Sequence, residues 1–412
     1  MQRVIRFAER HWRRLVYLLA LLAMAASLLL TLSDGDRLRY PDEIAYYHLG
    51  QRLVAGEGYV SDDGTPTAYR APGYAHLVAV ATAWGQRPLA AKVVNALCWG
   101  LAVALAAWLA ATVTPLAAPL TALLALLYPL ALYTSSTLYP QTFGTLLLMA
   151  LLYFMARRTL GWHHAIAAGL LLGLLILTIP AFLTLAPLLL AIFVVRHRAA
   201  WGAALRDVTV IAGVALLCVA PWSLRNYALF DQPVPVSTNG GENLLLGNSE
   251  NTRPNSGVNV DLTTYVAQTE GMDEATKDAA LRGFALEWIS AHPRQAALLY
   301  VQKVANYFNF RNELATASEG SRLRDLIAFV SYYPLLLIAL LRLFFVRRFP
   351  LSRTETMLYL LYVGNAFISA LFFTRLRFRV PFDLLLIALV GIFVGRLLTR
   401  SKPLPAARMG GH

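Results

Sequence analysis

The sequence predicts an all-α polytopic membrane protein with about ten transmembrane helices. Three observations predict it. Of 412 residues, 58% are hydrophobic and only 14% charged, too few to cover a soluble domain of that length with polar surface. The apolar residues come in long blocks, such as 15–32 and 97–111, and a helix of roughly 20 apolar residues crosses about 30 Å of hydrocarbon. The basic residues gather at the ends of these blocks, mostly on one side, as membrane topology requires.

Spans fall near 15–32, 91–112, 115–133, 139–156, 163–178, 180–195, 207–222, 324–344, 354–373 and 380–399. The block 163–195 has Pro180 at its middle and as one straight helix would run about 50 Å, so it reads as a tight hairpin of two short spans. The block 72–84 is too short to cross and suits an interfacial or re-entrant helix.

With the N-terminus inside, the cytoplasmic segments hold Arg3, Arg6, Arg10, Arg13 and Arg14; Arg157 and Arg158; Arg196, Arg198 and Arg206; Arg342, Arg347, Arg348 and Arg353; and Arg396, Arg400, Lys402 and Arg408. The short outer connections at 134–138 and near Pro180 hold no Lys or Arg. A full span at 72–84, or a single one over 163–195, flips some of these clusters outward. The charge pattern therefore selects ten spans in one membrane domain over 1–412, multi-pass in the cell inner (plasma) membrane, with both termini cytoplasmic. No small-residue cleavage site follows the first apolar block, which reads as an uncleaved span.

Two outer segments are long, 33–90 and 223–323, the second leading into the C-terminal spans of 324–412. The second is rich in Pro, Gly and Asn at its start and then shows helical patterns at 273–289 and 294–310. Both read as loops carrying short interfacial helices on the outer membrane surface, without a core of their own. No internal repeat of the transporter kind is visible.

The net charge of +13 would raise nucleic acid as a partner of a soluble protein. Here the basic residues serve topology, and no nucleic acid is expected. Cys98 and Cys218 lie in apolar stretches and suggest neither a disulfide nor a Cys metal site. His163-His164 has no acid or Cys beside it and reads as an interfacial pair. No Gly-rich phosphate loop, His-Glu-x-x-His or Gly-x-Ser-x-Gly motif is present.

Chemistry concentrates in five short stretches. Tyr40-Pro41-Asp42-Glu43-Ile44-Ala45-Tyr46-Tyr47 starts a helix on Pro with two acids in its first turn. The acids complement the helix dipole. Alternatively one is a general base, its pKa raised by shielding from water near the membrane. Thr67-Ala68-Tyr69-Arg70-Ala71-Pro72-Gly73-Tyr74 places Arg70 before a membrane-touching helix, where it contacts headgroups, holds a phosphate or orients a carboxylate. Arg375-Leu376-Arg377-Phe378-Arg379-Val380-Pro381 puts three arginines on the outer side of a short connection, against the charge rule. An outer anion such as a lipid phosphate makes that favourable, since the guanidinium fork binds two oxygens at once, and so do ordinary anionic headgroups. Pro221-Trp222-Ser223-Leu224-Arg225-Asn226-Tyr227 adds Arg225 where a span exits, and Asn243-Leu244-Leu245-Leu246-Gly247-Asn248 follows in a stretch that reads as a flexible polar loop.

These stretches, in this order, resemble the GT-C superfamily of membrane glycosyltransferases, nearest to bacterial relatives of protein O-mannosyltransferases and aminoarabinose lipid A transferases. The resemblance implies a GT-C-like fold and a glycosyltransferase, hexosyl- or pentosyl-, that moves a sugar from a polyprenyl-phosphate donor to an acceptor hydroxyl on the periplasmic face with inversion. It implies Asp42 as catalytic carboxylate with Glu43 beside it. It implies Arg375, Arg377 and Arg379 near the donor phosphate, with Arg225, and Tyr46, Arg70 and Asn243 positioning substrate. The partners implied are the lipid-linked donor, membrane lipids and a glycan, lipid or protein acceptor. No cofactor is firmly implied, and no metal ligands are assigned, although carboxylates and loop oxygens are compatible with a divalent cation. Where some branches of the family have a second acid or paired prolines, this chain has Arg70-Ala71-Pro72. Two other classes share these features: a lipid or solute transporter or flippase, disfavoured because the spans hold almost no ionisable residue at mid-depth, and a polysaccharide polymerase or ligase.

Overall fold

The structure, a computed structural model, describes residues 2–157, 161–312 and 321–399. Arg158, Arg400, Lys402 and Arg408, assigned above to the cytoplasmic side, lie outside the described residues. The chain folds into helices α1 (Gln2–Arg10), α2 (Trp12–Asp34), α3 (Pro41–Val54), α4 (Pro72–Thr82), α5 (Pro88–Ala111), α6 (Ala117–Leu126), α7 (Pro129–Ser135), α8 (Pro140–Met155) and α9 (Trp162–Thr178). They continue as α10 (Ala181–Arg196), α11 (Trp201–Phe230), α12 (Gly240–Gly247), α13 (Thr263–Ala267), α14 (Glu274–Ala291), α15 (Pro293–Tyr307), α16 (Arg322–Phe344), α17 (Arg353–Ser369) and α18 (Leu376–Leu398). Proline opens α3, α4, α5, α7, α8 and α15, where its missing N–H costs nothing and its fixed φ is already helical.

By length and composition five helical stretches can cross a membrane: Arg3–Asp34, Pro88–Ala111, Arg198–Phe230, Arg322–Phe344 and Leu376–Leu398. The expected span at 115–133 is broken instead, α6 and α7 meeting at 67° across Leu127 and Tyr128, because Pro129 cannot continue the first helix. α8, α9 and α10 are apolar but shorter. α17 has 17 residues and a polar start, with a capping box between Ser352 and Glu355.

Bonds between helix ends sort them onto two faces. On one, Arg196 Nη2 at the end of α10 donates to Ala156 O at the end of α8 (2.7 Å), and His197 Nε2 lies 2.7 Å from Arg157 O. So α10 returns to where α9 began, and 163–195 is a hairpin. On the same face Thr112 Oγ1, after α5, lies 3.1 Å from Thr354 Oγ1 at the start of α17. Glu355 there receives Arg342 Nε from the end of α16 (2.7 Å) and Arg396 Nη1 from the end of α18 (2.9 Å). On the opposite face Lys92 Nζ, early in α5, donates to Asp34 Oδ2 at the end of α2 (2.6 Å), and Arg225, late in α11, donates to Thr67 O (2.7 Å). Successive apolar helices therefore alternate in direction. α18 runs through the middle, with nearly every side chain from Arg379 to Arg396 buried.

The second outer segment departs from the expectation of surface loops. α12 packs on α14, and Leu245, Leu246, Val260, Leu262, Leu281 and Ala285 form a small core with Phe373. α4, expected as an interfacial or re-entrant helix, is exposed along one face, with Val80 76% exposed, and buried along the other. Tyr74, Ala75 and Val78 are fully buried, and a Cβ at Gly73 would lie 2.7 Å from Thr178 Oγ1 and 2.9 Å from the Leu177 backbone, so α4 wedges onto the outer end of α9. The turn at 61–65 closes with a bridge between Val60 and Pro66.

Candidate active site

The site is built at the first turn of α3. Tyr40 is extended (φ −122°, ψ 147°) and Pro41 sets the first helical φ, so the next two acids turn in different directions. Glu43 faces inward and is 1% exposed. Its Oε2 accepts the backbone N–H groups of Arg39 (2.8 Å) and Tyr40 (3.1 Å), and Oε1 accepts that of Leu138 ahead of α8 (2.8 Å). The carboxylate expected beside the catalytic one is thus a cap that stitches α3 to the α7–α8 connection, and all three bonds hold backbone.

Asp42 turns the other way and is partly exposed. Its Oδ1 lies 2.8 Å from Arg70 Nη2, and its Oδ2 accepts from Arg377 Nη1, which is 335 residues away in the chain. The three side chains are 24%, 17% and 32% exposed, shielded yet reachable. Arg70 stacks over Tyr46 (5.1 Å) and Tyr69 (5.6 Å). Arg377 stacks over Phe378 (5.1 Å) and Tyr139 (5.7 Å). Aromatic faces favour a guanidinium and hold its plane. The Nε of Arg377 is buried with no hydrogen-bond partner.

Burial pushes the Asp42 carboxyl up, but the charges and hydrogen bonds of Arg377 and Arg70 outweigh it and hold the carboxyl below its usual 3.8. This corrects the expectation that shielding raises it. Asp42 is thus an ionised, ion-paired carboxylate. Tyr46 is buried beneath Arg70, edge-on to Tyr74 with ring centres 5.1 Å apart, and burial pushes its phenol up.

The remaining arginines divide sharply. Arg377 and Arg379 stand in the first turn of α18, not in a connecting loop. Arg379 is 1% exposed, paired with Asp383 at 2.9 Å, stacked 3.6 Å over Tyr332, and donates to Tyr307 O (2.9 Å) and Asn309 O (2.6 Å). Its counter-anion is Asp383, so no external phosphate is needed to explain it. Arg375 caps α18, with its guanidinium against Gly257. Arg225 donates to Thr67 O (2.7 Å) and Tyr59 O (3.0 Å) and stacks on Trp222 (4.7 Å). It ties the first outer segment to α11. Asn243 lies half-buried on α12, beside Glu242, which accepts the Tyr69 hydroxyl (2.7 Å). Among the described contacts no bond brings Asn243 to Asp42.

Sequence reading missed the groups that hold these parts together. Glu274 accepts from Thr67 Oγ1 (2.8 Å) and Ala68 N (3.0 Å) and also from Thr238, joining the two outer segments. Lys303 on α15 is fully buried and donates to Gly247 O (2.8 Å), Asn248 Oδ1 (3.1 Å) and Phe372 O (2.8 Å). Burial pushes its ammonium down to about 7. Asn306 Nδ2 donates to Thr374 Oγ1 (2.8 Å), and Asn312 Oδ1 accepts Leu376 N (2.9 Å). This set locks the segment entering α18 and so aims Arg377. None of these left a readable signal in the sequence, in contrast to the Arg379–Asp383 pair, whose spacing of four is that of helix neighbours.

Among the described residues no group of three or more His, Cys, Asp or Glu side chains converges. Two guanidiniums already face Asp42, and a donor set of one carboxylate and two cations does not fit a divalent ion. His164 Nε2 lies 2.7 Å from Arg157 Nη1, a bond in which the imidazole nitrogen accepts.

No family model and no curated protein matches the chain. Solved structures do. ArnT from Cupriavidus metallidurans, bound to undecaprenyl phosphate, superposes with a TM-score of 0.55 at 16% identity over 93% of this chain and 60% of that one. The oligosaccharyltransferase AglB from Archaeoglobus fulgidus, in complex with an inhibitory peptide and a dolichol-phosphate, gives 0.57 at 16% identity over 95% of this chain and 51% of that one. The chain thus spans about half to three-fifths of their length, and at such identities the likeness is one of fold. In fold, this chain is similar to the GT-C membrane glycosyltransferases.

Proposed function

We propose that the protein is a membrane glycosyltransferase that moves a sugar from a polyprenyl-phosphate donor to an acceptor hydroxyl. It acts on the outer face of the inner membrane, with both termini cytoplasmic. The observation that supports this most is a carboxylate from the first outer segment held between one guanidinium of that segment and another from the last helix, all three partly exposed. A bound dolichol-phosphate in AglB and undecaprenyl phosphate in ArnT make a lipid phosphate the natural donor class for this fold.

In this reading Asp42 is the base. The acceptor oxygen forms a bond to the anomeric carbon as the bond from that carbon to the phosphate oxygen breaks, in one displacement that inverts the centre. The acceptor proton passes to Asp42 and the electron pair leaves on the phosphate, where guanidinium charge stabilises it. Phosphate needs no general acid, so one base suffices. Tyr46 holds Arg70 through its ring face.

Asp42→Asn, assayed in membranes with a polyprenyl-phosphate-linked sugar, should lose about 10²-fold or more in turnover, the range of general-base catalysis. Near-normal turnover by a well-folded variant rejects the assignment. Reconstituted vesicles in which the protein moves the lipid and no glycoside forms would instead favour a flippase, and a growing glycan as the donor would favour a polymerase or ligase.

A further inference from the structure

We infer that Arg70 and Arg377 together form the binding site for the donor phosphate, that Asp42 occupies this site in the substrate-free protein, and that phosphate and carboxylate compete for the same two guanidiniums. The inference rests on the reading above and specifies what happens at that site.

Geometry supplies the first argument. Of the arginines assigned to the phosphate by sequence, Arg379 is committed to Asp383 and two carbonyls, and Arg225 to two carbonyls of the first outer segment. Arg70 and Arg377 hold no partner of that kind. Their acidic partner is Asp42. Each lies against aromatic rings that fix its plane, and the acceptors beside them are neutral phenols, that of Tyr46 for Arg70 and that of Tyr139 for Arg377, which a charged phosphate oxygen outcompetes. Arg377 still has a buried, unpartnered Nε–H. A buried donor without an acceptor is costly, and a phosphate oxygen is the strong acceptor that would satisfy it. One carboxylate therefore occupies a site built of two forks, and one donor is left over.

Charge supplies the second. With donor bound, the phosphodiester carries one negative charge and Asp42 another, matched by two guanidiniums. After transfer the polyprenyl monophosphate carries two negative charges and Asp42, now protonated, carries none, matched by the same two guanidiniums. The site is neutral at both ends of the reaction, and the guanidiniums follow the charge from carboxylate to phosphate as the glycosidic bond breaks. This resolves the difficulty raised by Asp42 being a weak base when doubly paired. Phosphate draws the arginines off, and basicity returns where the acceptor proton is released. The base is masked until the donor is in place, which protects the site from activating water without a donor.

The test measures binding of a polyprenyl monophosphate to purified protein in detergent. Removing the competing carboxylate in Asp42→Asn should abolish transfer yet tighten this binding about tenfold or more, one tenfold step being about 1.4 kcal/mol. Asp42→Ala should do the same if the amide finds new bonds. Arg377→Gln and Arg70→Gln should weaken binding in both backgrounds. If wild type transfers sugar and binds the monophosphate but both Asp42 variants bind it no more tightly, the competition is wrong and the glycosyltransferase reading stands. If wild type neither binds the monophosphate nor transfers sugar, the functional reading itself falls and the inference with it.

Discussion

At the residue scale, two neighbouring acids in one helical turn do opposite jobs. Glu43 holds three backbone N–H groups. Removing a buried acceptor costs about 1–3 kcal/mol, so Glu43→Ala should lower the melting temperature in detergent, while Glu43→Gln, keeping one oxygen acceptor, should retain turnover within several-fold. A loss as deep as that of Asp42→Asn would make Glu43 catalytic after all. The Asp42 pairing has a pH signature. Because the folded value lies below the usual 3.8, its contribution to stability is present above the usual value and is lost as pH falls through the lowered one. The acid limb of a melting-temperature profile should therefore be flatter in Asp42→Asn than in wild type. The pair of acids was visible in the sequence, but the division of labour was not, because a carboxylate that caps backbone and one that pairs with arginines read alike until Leu138 is brought beside Glu43. Arg379 misled for the same reason: its partner Asp383 lies one turn further on, inside an apolar run, and the charge was assigned to an external anion.

At the element scale, the approach of α12 to the segment before α18 aims Arg377. A Cβ at Gly247 would lie 1.8 Å from Phe372 O, a backbone atom that cannot turn aside. Gly247→Ala must push α12 from the 370–375 segment and loosen Lys303, which bonds both sides of that contact. Polyprenyl monophosphate binding should weaken and turnover should fall by up to about 10²-fold, the scale of a misplacement near 1 Å. Unchanged binding would show that α12 does not position the arginine. In the sequence this stretch read as flexible loop because Gly and Asn dominate it. The glycines instead permit close packing, since Gly241 meets Asp278 O in the same way. The break between α6 and α7 was equally illegible, although Pro129 marked it. Tyr128, at the break, donates to Asp383 Oδ2 (2.7 Å), so the bend delivers a hydroxyl to the Arg379–Asp383 pair within the bundle.

At the scale of the whole molecule, the alternation of apolar blocks and basic clusters made the direction of the helices readable, because hydrophobic length and charge placement are properties of the chain alone. The meeting of Asp42 with Arg377 depended on packing between the two ends of the chain and needed a folded structure. That same packing orients the protein. Asp42, Arg70 and Arg377 share a face with the turn at 61–65, whereas Arg342, Glu355 and Arg396 close the opposite face. Arg347, Arg348 and Arg353 stand beside that second cluster, and arginine-rich short connections stay on the cytoplasmic side. The reactive face should then be outward. In a Cys98→Ser/Cys218→Ser background, a cysteine at exposed Asp63 should react with a membrane-impermeant maleimide in spheroplasts, and one at Arg348 only after the membrane is opened. The reverse pattern would turn the site toward the cytoplasm, where nucleotide sugars are available, and would remove the reason for a lipid-linked donor while leaving the fold as described.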